Sequence, residues 1–295
     1  MDSLRDLKLF LRVAETSSFS AVARELSLTQ PSVSRAVAQL ERSIGTRLLT
    51  RTTRLVALTD AGRALYERAG PPARELADAA EEVRAGATKI SGTVRLAVPS
   101  ALGRHLVLPV VTRFLNELPN VNVELALTDR PVDLIEEGVD LAVRVGMPQS
   151  ATLVTRALGS SVQRLVGSPR YLKGHKSITA VADLAKHQFI ARKAGGRVMS
   201  DLGAFQMPLE SIRLTADDVE AVYDATLAHL GLSILPAWLV DEDVRRKKLI
   251  RLLPRLPMPA AKVYVVLPAG RQAPLRVRAL IDRLVAAMGA KLEAQ

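Results

Sequence analysis

Apolar residues recur at helical spacing in three separate runs over the first 45 positions of the chain. Leu4, Leu7, Phe10, Leu11 and Ala14 make one stripe. Ala21, Val22, Ala23 and Leu26 cluster on adjacent turns of a second helix. Ser20 is a good N-cap for it, because its hydroxyl can accept an otherwise unpaired amide of the first turn. Ser27, Leu28 and Thr29 break the pattern, and Val33, Val37, Leu40 and Ile44 then form the stripe of a third helix. Thr29 can cap this helix, which starts near Gln30; Pro31 in its first turn is tolerated, since an amide there has no intrahelical partner to lose. At about 100° per residue, Pro31, Arg35, Ala38 and Arg42 lie opposite the stripe, with Ser34 and Gln39 on its flanks. That outer face is narrow, small-sided and cationic, and it fits a major groove about 12 Å wide, where Ser, Gln and Arg can meet base edges and phosphates.

The pattern then changes twice. LLTRTTRLVAL reads as two short strands around a turn holding Arg51, Thr52, Thr53 and Arg54. A basic hairpin tip is commonly only a solvated turn, but beside this helix pair it suits phosphate or minor-groove contact. From Thr59 to about Thr88 helix formers dominate, with Leu65, Ala69, Leu76, Ala80 and Val83 as a loose apolar seam. Gly70, Pro71 and Pro72 fall in its middle. An interior proline costs roughly 3 kcal/mol through a lost hydrogen bond and a clash with the preceding turn, so a break or sharp kink is expected near Gly70. Beyond residue 90 the strand candidates are TVRLAVP, VNVELALT, DLAVRV, HQFIA, SIRLT, GLSILP and KVYVVLP. They are separated by about one helix length or a loop, which argues for parallel α/β units in two facing lobes.

Composition changes this picture little. A chain of 295 residues that is 48% hydrophobic can bury the cores of a small and a larger domain. Its 41 Lys and Arg against 30 Asp and Glu give a net charge of +11, which suits a polyanionic partner without identifying one. Residues 1–90 hold 14 basic and 11 acidic side chains, so most of the excess lies elsewhere and the helix face, not bulk charge, carries the DNA-binding reading. The lack of cysteine excludes disulfides, thiolate metal sites and cysteine nucleophiles, and is compatible with a reducing cytoplasm. MDSLRDLKLF contains acidic residues and no long apolar core followed by a cleavage site, and no run reaches the 18 or so apolar residues that span a bilayer; a cytosolic protein is expected. His105, His175, His187 and His229 are scattered without HExxH spacing or a carboxylate partner in sequence. No GxxxxGK[ST], strand-following GxGxxG or GxSxG is present, and Gly195–Gly196 is only a weak nest candidate. No enzymatic activity, metal or cofactor is therefore expected.

Residues 1 to about 88 resemble the N-terminal module of LysR-type transcriptional regulators. LKLFLRVAETSSFSAVARELSLTQPSVSRAVAQLERSIGTRLLTRTTRLVALTDAGRALYERA follows that family's pattern almost without gaps. The resemblance implies a winged helix-turn-helix with Gln30, Pro31, Ser34 and Arg35 in the major groove and Arg51 and Arg54 on the wing. Ser18 and Ser32 would be phosphate-side or flanking contacts. It also implies a linker helix that pairs in a dimer, and commonly a dimer of dimers. GTVRLAVPSALGRHLVLPVVTRFLNELPNVNVEL, DLIEEGVDLAVRVG, LVGSPRYL and TLAHLGLSILPAWLV are similar to the two-lobed, periplasmic-binding-protein-like effector domain of the same family. The implied division is a DNA-binding domain over 1–58, a linker helix over 59–88, and an α/β effector domain over 91–295. Its lobe I would be 91–161 with 266–295, and its lobe II 162–265.

In such a fold a ligand sits between the lobes, at the carboxyl ends of strands. Ser100 follows the first strand, Thr128 ends the second and Arg144 closes the third. With Ala101, Gly146 and the loop at Ala194, these are the candidate effector-binding residues; hydroxyls and a guanidinium favour a small anionic or polar effector, such as a carboxylate-bearing metabolite. An architectural DNA binder would need the basic face but no large two-lobed domain. A solute-binding protein would need the lobes but no reading head. A one-component regulator accounts for both halves, with double-stranded DNA, a small-molecule effector and further copies of the chain as partners and no membrane.

Overall fold

The computed structural model describes residues 3–51, 56–85, 90–147, 152–194, 196–199, 206–270 and 273–293. The chain divides into two compact units, residues 1–89 with 135–138, and the rest of 90–295.

The first unit is built of α1 (Ser3–Thr16), α2 (Phe19–Glu25), α3 (Gln30–Ile44), a hairpin of β1 (Leu49–Arg51) and β2 (Val56–Leu58), and α4 (Asp60–Ala85). Phe10, Val13, Val22, Val33 and Val37 are fully buried at its centre, so the apolar stripes of the three short helices do face one another. Thr29 caps α3 as expected, its hydroxyl accepting the Ser32 amide at 3.3 Å, and the helix ends on Gly45 in the left-handed region at φ 78°. The cap of α2 is not Ser20. Ser18 takes that place, accepting from the Ala21 amide at 3.2 Å, and the helix starts one turn's edge earlier because Phe19 is drawn into the core. Leu4, Leu26 and Ile44 are exposed rather than buried; each lies at a helix end, where the three-helix contact runs out.

The break expected at residues 70–72 is absent. Helix α4 runs uninterrupted from Asp60 to Ala85 with Pro71 and Pro72 inside it. Gly70, Pro71 and Ala73 are buried, Ala73 within the core of this unit, and that apolar packing offsets the main-chain hydrogen bonds the prolines cannot make. Where α4 begins, a side chain is not tolerated: a Cβ on Gly62 would stand 1.9 Å from the carbonyl oxygen of Leu48, just before β1.

The second unit opens with β3 (Gly92–Val98) and α5 (Ser100–Leu102), which passes through a π-helical turn at Gly103–Val107 into α6 (Leu108–Glu117). Then follow β4 (Val121–Leu127), β5 (Leu141–Val145), β6 (Leu153–Gly167), α7 (Pro169–Lys173), β7 (Phe189–Ala194), β8 (Arg197–Val198) and β9 (Ile212–Ala216). The chain ends with α8 (Val219–Leu227), β10 (Leu232–Pro236), α9 (Ala237–Arg245), β11 (Ile250–Arg251), β12 (Ala260–Pro268) and α10 (Leu275–Glu293). The main sheet path is β4-β3-β5-β12-β6-β10-β7-β8, with β11 beside β6 and β9 beside β7.

All seven expected strands are present, but the sheet is mixed rather than parallel. β3 runs parallel to β4 and β5, and β7 parallel to β9 and β10, whereas β12 and β6 run antiparallel to their neighbours. Sequence reading missed the two-residue strands β8 and β11 and also β6, the longest. Gly159, Ser160 and Ser161 interrupt its apolar alternation, so the period-two signal is lost in its middle. Its first part, Leu153–Val162, pairs with β12, and Gln163–Gly167 pairs with β10, so one strand serves both halves of the unit. Because β12 pairs with β6 from Ala260 onward, the chain returns to the first half near residue 260, not 266. Leu102, Leu106, Val110 and Phe114, together with Leu280, Leu284 and Met288, bury one core on the first half. Val222, Leu235 and Val240, and separately Leu184, Phe189 and Leu232, bury cores in the second.

Two outcomes follow from this packing. Gly62→Ala forces either α4 or the start of β1 to shift, and should lower stability by about 1–3 kcal/mol in chemical denaturation. His187 is buried beside Tyr171 and His175, with ring centroids 5.9 and 5.7 Å away, and burial, then the neighbouring His175, lowers its pKa below 6.5. The unfolded chain protonates this ring more readily than the folded one. The stability it confers is therefore whole above pH 6.5 and is lost as pH falls through its lower folded value. The melting temperature should drop on acidification from pH 7 to pH 5, with a shallower drop in His187→Gln.

Candidate nucleic-acid interface and ligand cleft

The burial of Val33, Val37 and Leu40 turns the opposite side of α3 to solvent, and Gln30, Pro31, Arg35 and Arg42 are all exposed there. Arg35 and Arg42 lie back along the helix, their Nε–H groups donating to the carbonyls of Pro31 at 3.4 Å and Ala38 at 3.3 Å. Neither meets a carboxylate among the described residues, so both guanidinium charges stay available. Arg12 on α1 is the contrast, paired with Glu15 at 2.7 Å and Glu25 at 2.9 Å, contacts that raise its pKa. Ser32 and Ser34 are half-buried on the flank, and the Ser32 hydroxyl lies 2.8 Å from that of Thr29. Ser18 is engaged as the cap of α2. Arg51 stands in β1 opposite Val56; its side chain and the whole of Arg54 lie outside the described residues.

Sequence reasoning missed Glu41. This carboxylate on α3 accepts the amides of Leu48 at 2.8 Å and Leu49 at 3.1 Å with a single oxygen, which fixes the first wing strand to the helix. Its only signal in sequence is a carboxylate on the flank of α3, eight residues before a strand.

In the second unit a cavity of about 500 Å³ opens where β3, β5, β7 and β10 end and β6 passes between the two halves. Thr128, Arg144, Gly146, Ala101 and Ala194 line it, as expected. Ser100 does not; its amide instead donates to Asp129 at 3.2 Å, and Asp129 is the residue that faces the cavity. From the other half, Arg192 reaches the same carboxylate at 3.4 Å, so Asp129 joins the two sides of the cleft. Trp238 also lines the cavity, its indole donating to the Ser161 hydroxyl at 3.1 Å while the ring packs against the cores of both halves.

Most of the wall is apolar, with Val98, Leu102, Val143, Ile190, Met207, Val219 and Ile234 among its members. The small, hydroxyl-lined polar site expected from Ser100, Thr128 and Arg144 is thus a larger and greasier one with a few charges. A second contact across the cleft places Glu220, on α8, against Arg104 at 2.5 Å and His105 at 3.1 Å on the π-helical turn. The carboxylate partner of His105 is 115 residues away in sequence and could not be read from spacing. His175 stacks on Tyr171 and His229 meets Ser168, so both have packing roles.

A reading head with a free cationic helix, joined in one chain to a two-halved α/β unit with a cleft, defines a DNA-binding regulator with a ligand-sensing domain. Residues 4–63 match the family model of the bacterial regulatory helix-turn-helix protein, lysR family, and residues 87–289 match the LysR substrate binding domain. The chain belongs to the LysR-type transcriptional regulators: it is a sequence-reading DNA-binding regulator of transcription with an effector-binding domain. It is 34% identical to the HTH-type transcriptional regulator PtxR of Pseudomonas aeruginosa over 286 residues, 96% of this chain and 92% of that one. It is 32% identical to CrgA of Neisseria meningitidis serogroup C over 291 residues, 97% of each. Among solved structures, the LysR-type regulator CrgA from Neisseria meningitidis superposes with a TM-score of 0.63 at 29% identity, covering 97% of this chain and 98% of that one. The full-length Vibrio cholerae virulence activator AphB gives 0.60 at 25%, covering 97% and 99%.

Glu41→Ala leaves two wing amides without their acceptor. It should cost about 1–3 kcal/mol and speed hydrogen exchange at Leu48 and Leu49, while the α3 amides keep their protection.

Proposed function

We propose that residues 1–58 read DNA, that residues 59–88 form the linker through which the chain dimerises, and that residues 91–295 sense a small molecule bound between lobes I and II. Gln30, Pro31, Ser34 and Arg35 enter the major groove, with Ser18 and Ser32 towards the phosphates and Arg51 and Arg54 on the wing. What supports this assignment is the exposed α3 face, whose two arginines have no internal counter-ion among the described residues. The effector lies against Ala101, Thr128, Arg144, Gly146 and Ala194, with Asp129 in the place first given to Ser100.

The charge contacts Asp129–Arg192 and Glu220–Arg104/His105 span the cleft. An effector that favours one spacing of the halves shifts their balance, and only such a preference can change how the reading heads meet DNA. On this reading the chain is a cytosolic homo-oligomer and a regulator rather than an enzyme; its relatives are named as transcriptional regulators. Among the described residues no helix is long and apolar enough to cross a membrane.

Footprinting with the full-length protein tests the proposal. Protection of short, dyad-symmetric half-sites is expected, and uniform, salt-limited coating of any DNA would favour an architectural binder instead. Arg35→Ala should cost about 1–3 kcal/mol on the specific site and relax discrimination at one base pair, whereas Arg54→Ala should weaken all sequences alike. Equal losses on specific and random DNA for both variants would contradict this division.

A further inference from the structure

We propose that Thr59 is a positioning residue for DNA recognition: its hydroxyl ties the start of α4 to the wing and so sets which spacing between two half-sites the protein accepts. This rests on the reading of α4 as the dimerisation linker and goes beyond it by naming the residue that fixes its angle. Thr59 is the only residue between β2, which ends at Leu58, and α4, which begins at Asp60. Its hydroxyl accepts the Gly62 amide at 3.0 Å, capping the first turn of α4, and donates to the carbonyl of Arg47 at 2.7 Å, just before β1. Its amide donates to the carbonyl of Leu48 at 3.0 Å, and its own carbonyl accepts the Arg63 amide at 2.8 Å. One side chain thus serves the linker helix and the wing at once.

The other end of this chain of contacts is α3. Glu41 accepts the amides of Leu48 and Leu49, and Leu49 pairs with Leu58 in the hairpin, one residue before Thr59. Directional bonds through the main chain of Arg47, Leu48 and Leu49 therefore join the exposed helix α3 to α4. Ala61, Leu65, Tyr66 and Ala73 also pack α4 onto the core of this unit. Apolar burial is non-directional, however, whereas a hydrogen bond weakens steeply when it bends. A helix of 26 residues is about 39 Å long, so a rotation of about 10° at Thr59 moves its far end by about 7 Å, or two base pairs at 3.4 Å each. In a dimer held through α4, that displacement falls on the distance between the two reading heads.

The test separates this role from plain helix capping. Full-length protein is titrated onto duplexes that carry one half-site, or two in dyad symmetry at separations changed by single base pairs. The half-site sequence is the one the wild-type protein selects from random DNA. Wild type and Thr59→Ser, which keeps both hydroxyl bonds, should bind the best spacing about tenfold or more tightly than one changed by two base pairs. Thr59→Asp still caps α4, because a carboxylate accepts the Gly62 amide, but it cannot donate to Arg47. In this variant, and in Thr59→Val, which loses both bonds, the preference should shrink to about threefold or less, while a single half-site is bound within about threefold of wild type. A smaller folded fraction, or the added charge, weakens binding to every duplex by one factor and leaves the ratio between spacings unmoved. If Thr59→Val does not fold by circular dichroism, Thr59→Asp retains the cap and carries the comparison. A wild-type spacing preference in Thr59→Asp would mean that Thr59 only caps the helix, and it overturns the proposal while the linker reading stands. A single half-site weakened as much as the best pair overturns it too. A wild-type protein indifferent to spacing overturns the linker reading and this proposal with it.

Discussion

One strand belongs to both halves of the ligand-binding unit, and the cleft exists because of it. β6 pairs along Leu153–Val162 with β12 and along Gln163–Gly167 with β10, so the two halves share a continuous hydrogen-bonded backbone instead of a pair of loose linkers. Such a joint limits how far the halves can separate while leaving a gap on one side of the strand. Ser161 and Gln163, at the change of partner, face that gap. The side chains that close it come from strand ends and from the first turns of helices, where free amides and charges gather.

Where counter-ions are supplied decides which cations do chemistry. In the first unit Arg12 is neutralised by two glutamates, and Arg35 and Arg42 by none that is described. In the second unit Arg164 is paired with Asp241 and Arg156 with Asp282, whereas among the described residues Arg144 meets a main-chain carbonyl and no carboxylate. The Arg12 and Arg156 pairs are largely exposed, and such pairs are worth about 0–1 kcal/mol each, so they add little stability, whereas the Arg164 guanidinium is buried against its partner.

The contacts that span the cleft have a related character. Asp129–Arg192 and Glu220–Arg104/His105 are partly exposed and individually weak. Weak contacts between two packed halves are suited to being exchanged when a ligand enters, since neither half must unfold to release them. Trp238, packed against both cores, lies at the same junction.

By itself, the sequence determined the elements whose signal is local. The 3.6-residue spacing of Val33, Val37 and Leu40 placed α3 and its exposed face, and Thr29 and Pro31 marked its start. Short runs of β-branched residues marked seven strands. Only the tertiary structure decided what depends on distant neighbours. Leu4, Leu26 and Ile44 fit their helical stripes but reach beyond the core, and Pro71 and Pro72 stay helical because Gly70, Pro71 and Ala73 are packed. β6 is a strand because β10 and β12 flank it, despite the Gly-Ser-Ser in its middle. Asp129 replaced Ser100 in the cleft, and Arg192 joined Arg144, through contacts 29 to 63 residues apart in sequence. Periodicity reports which side of an element is apolar. It carries no information on which remote side chain will supply the hydrogen bond or charge that the fold brings to it.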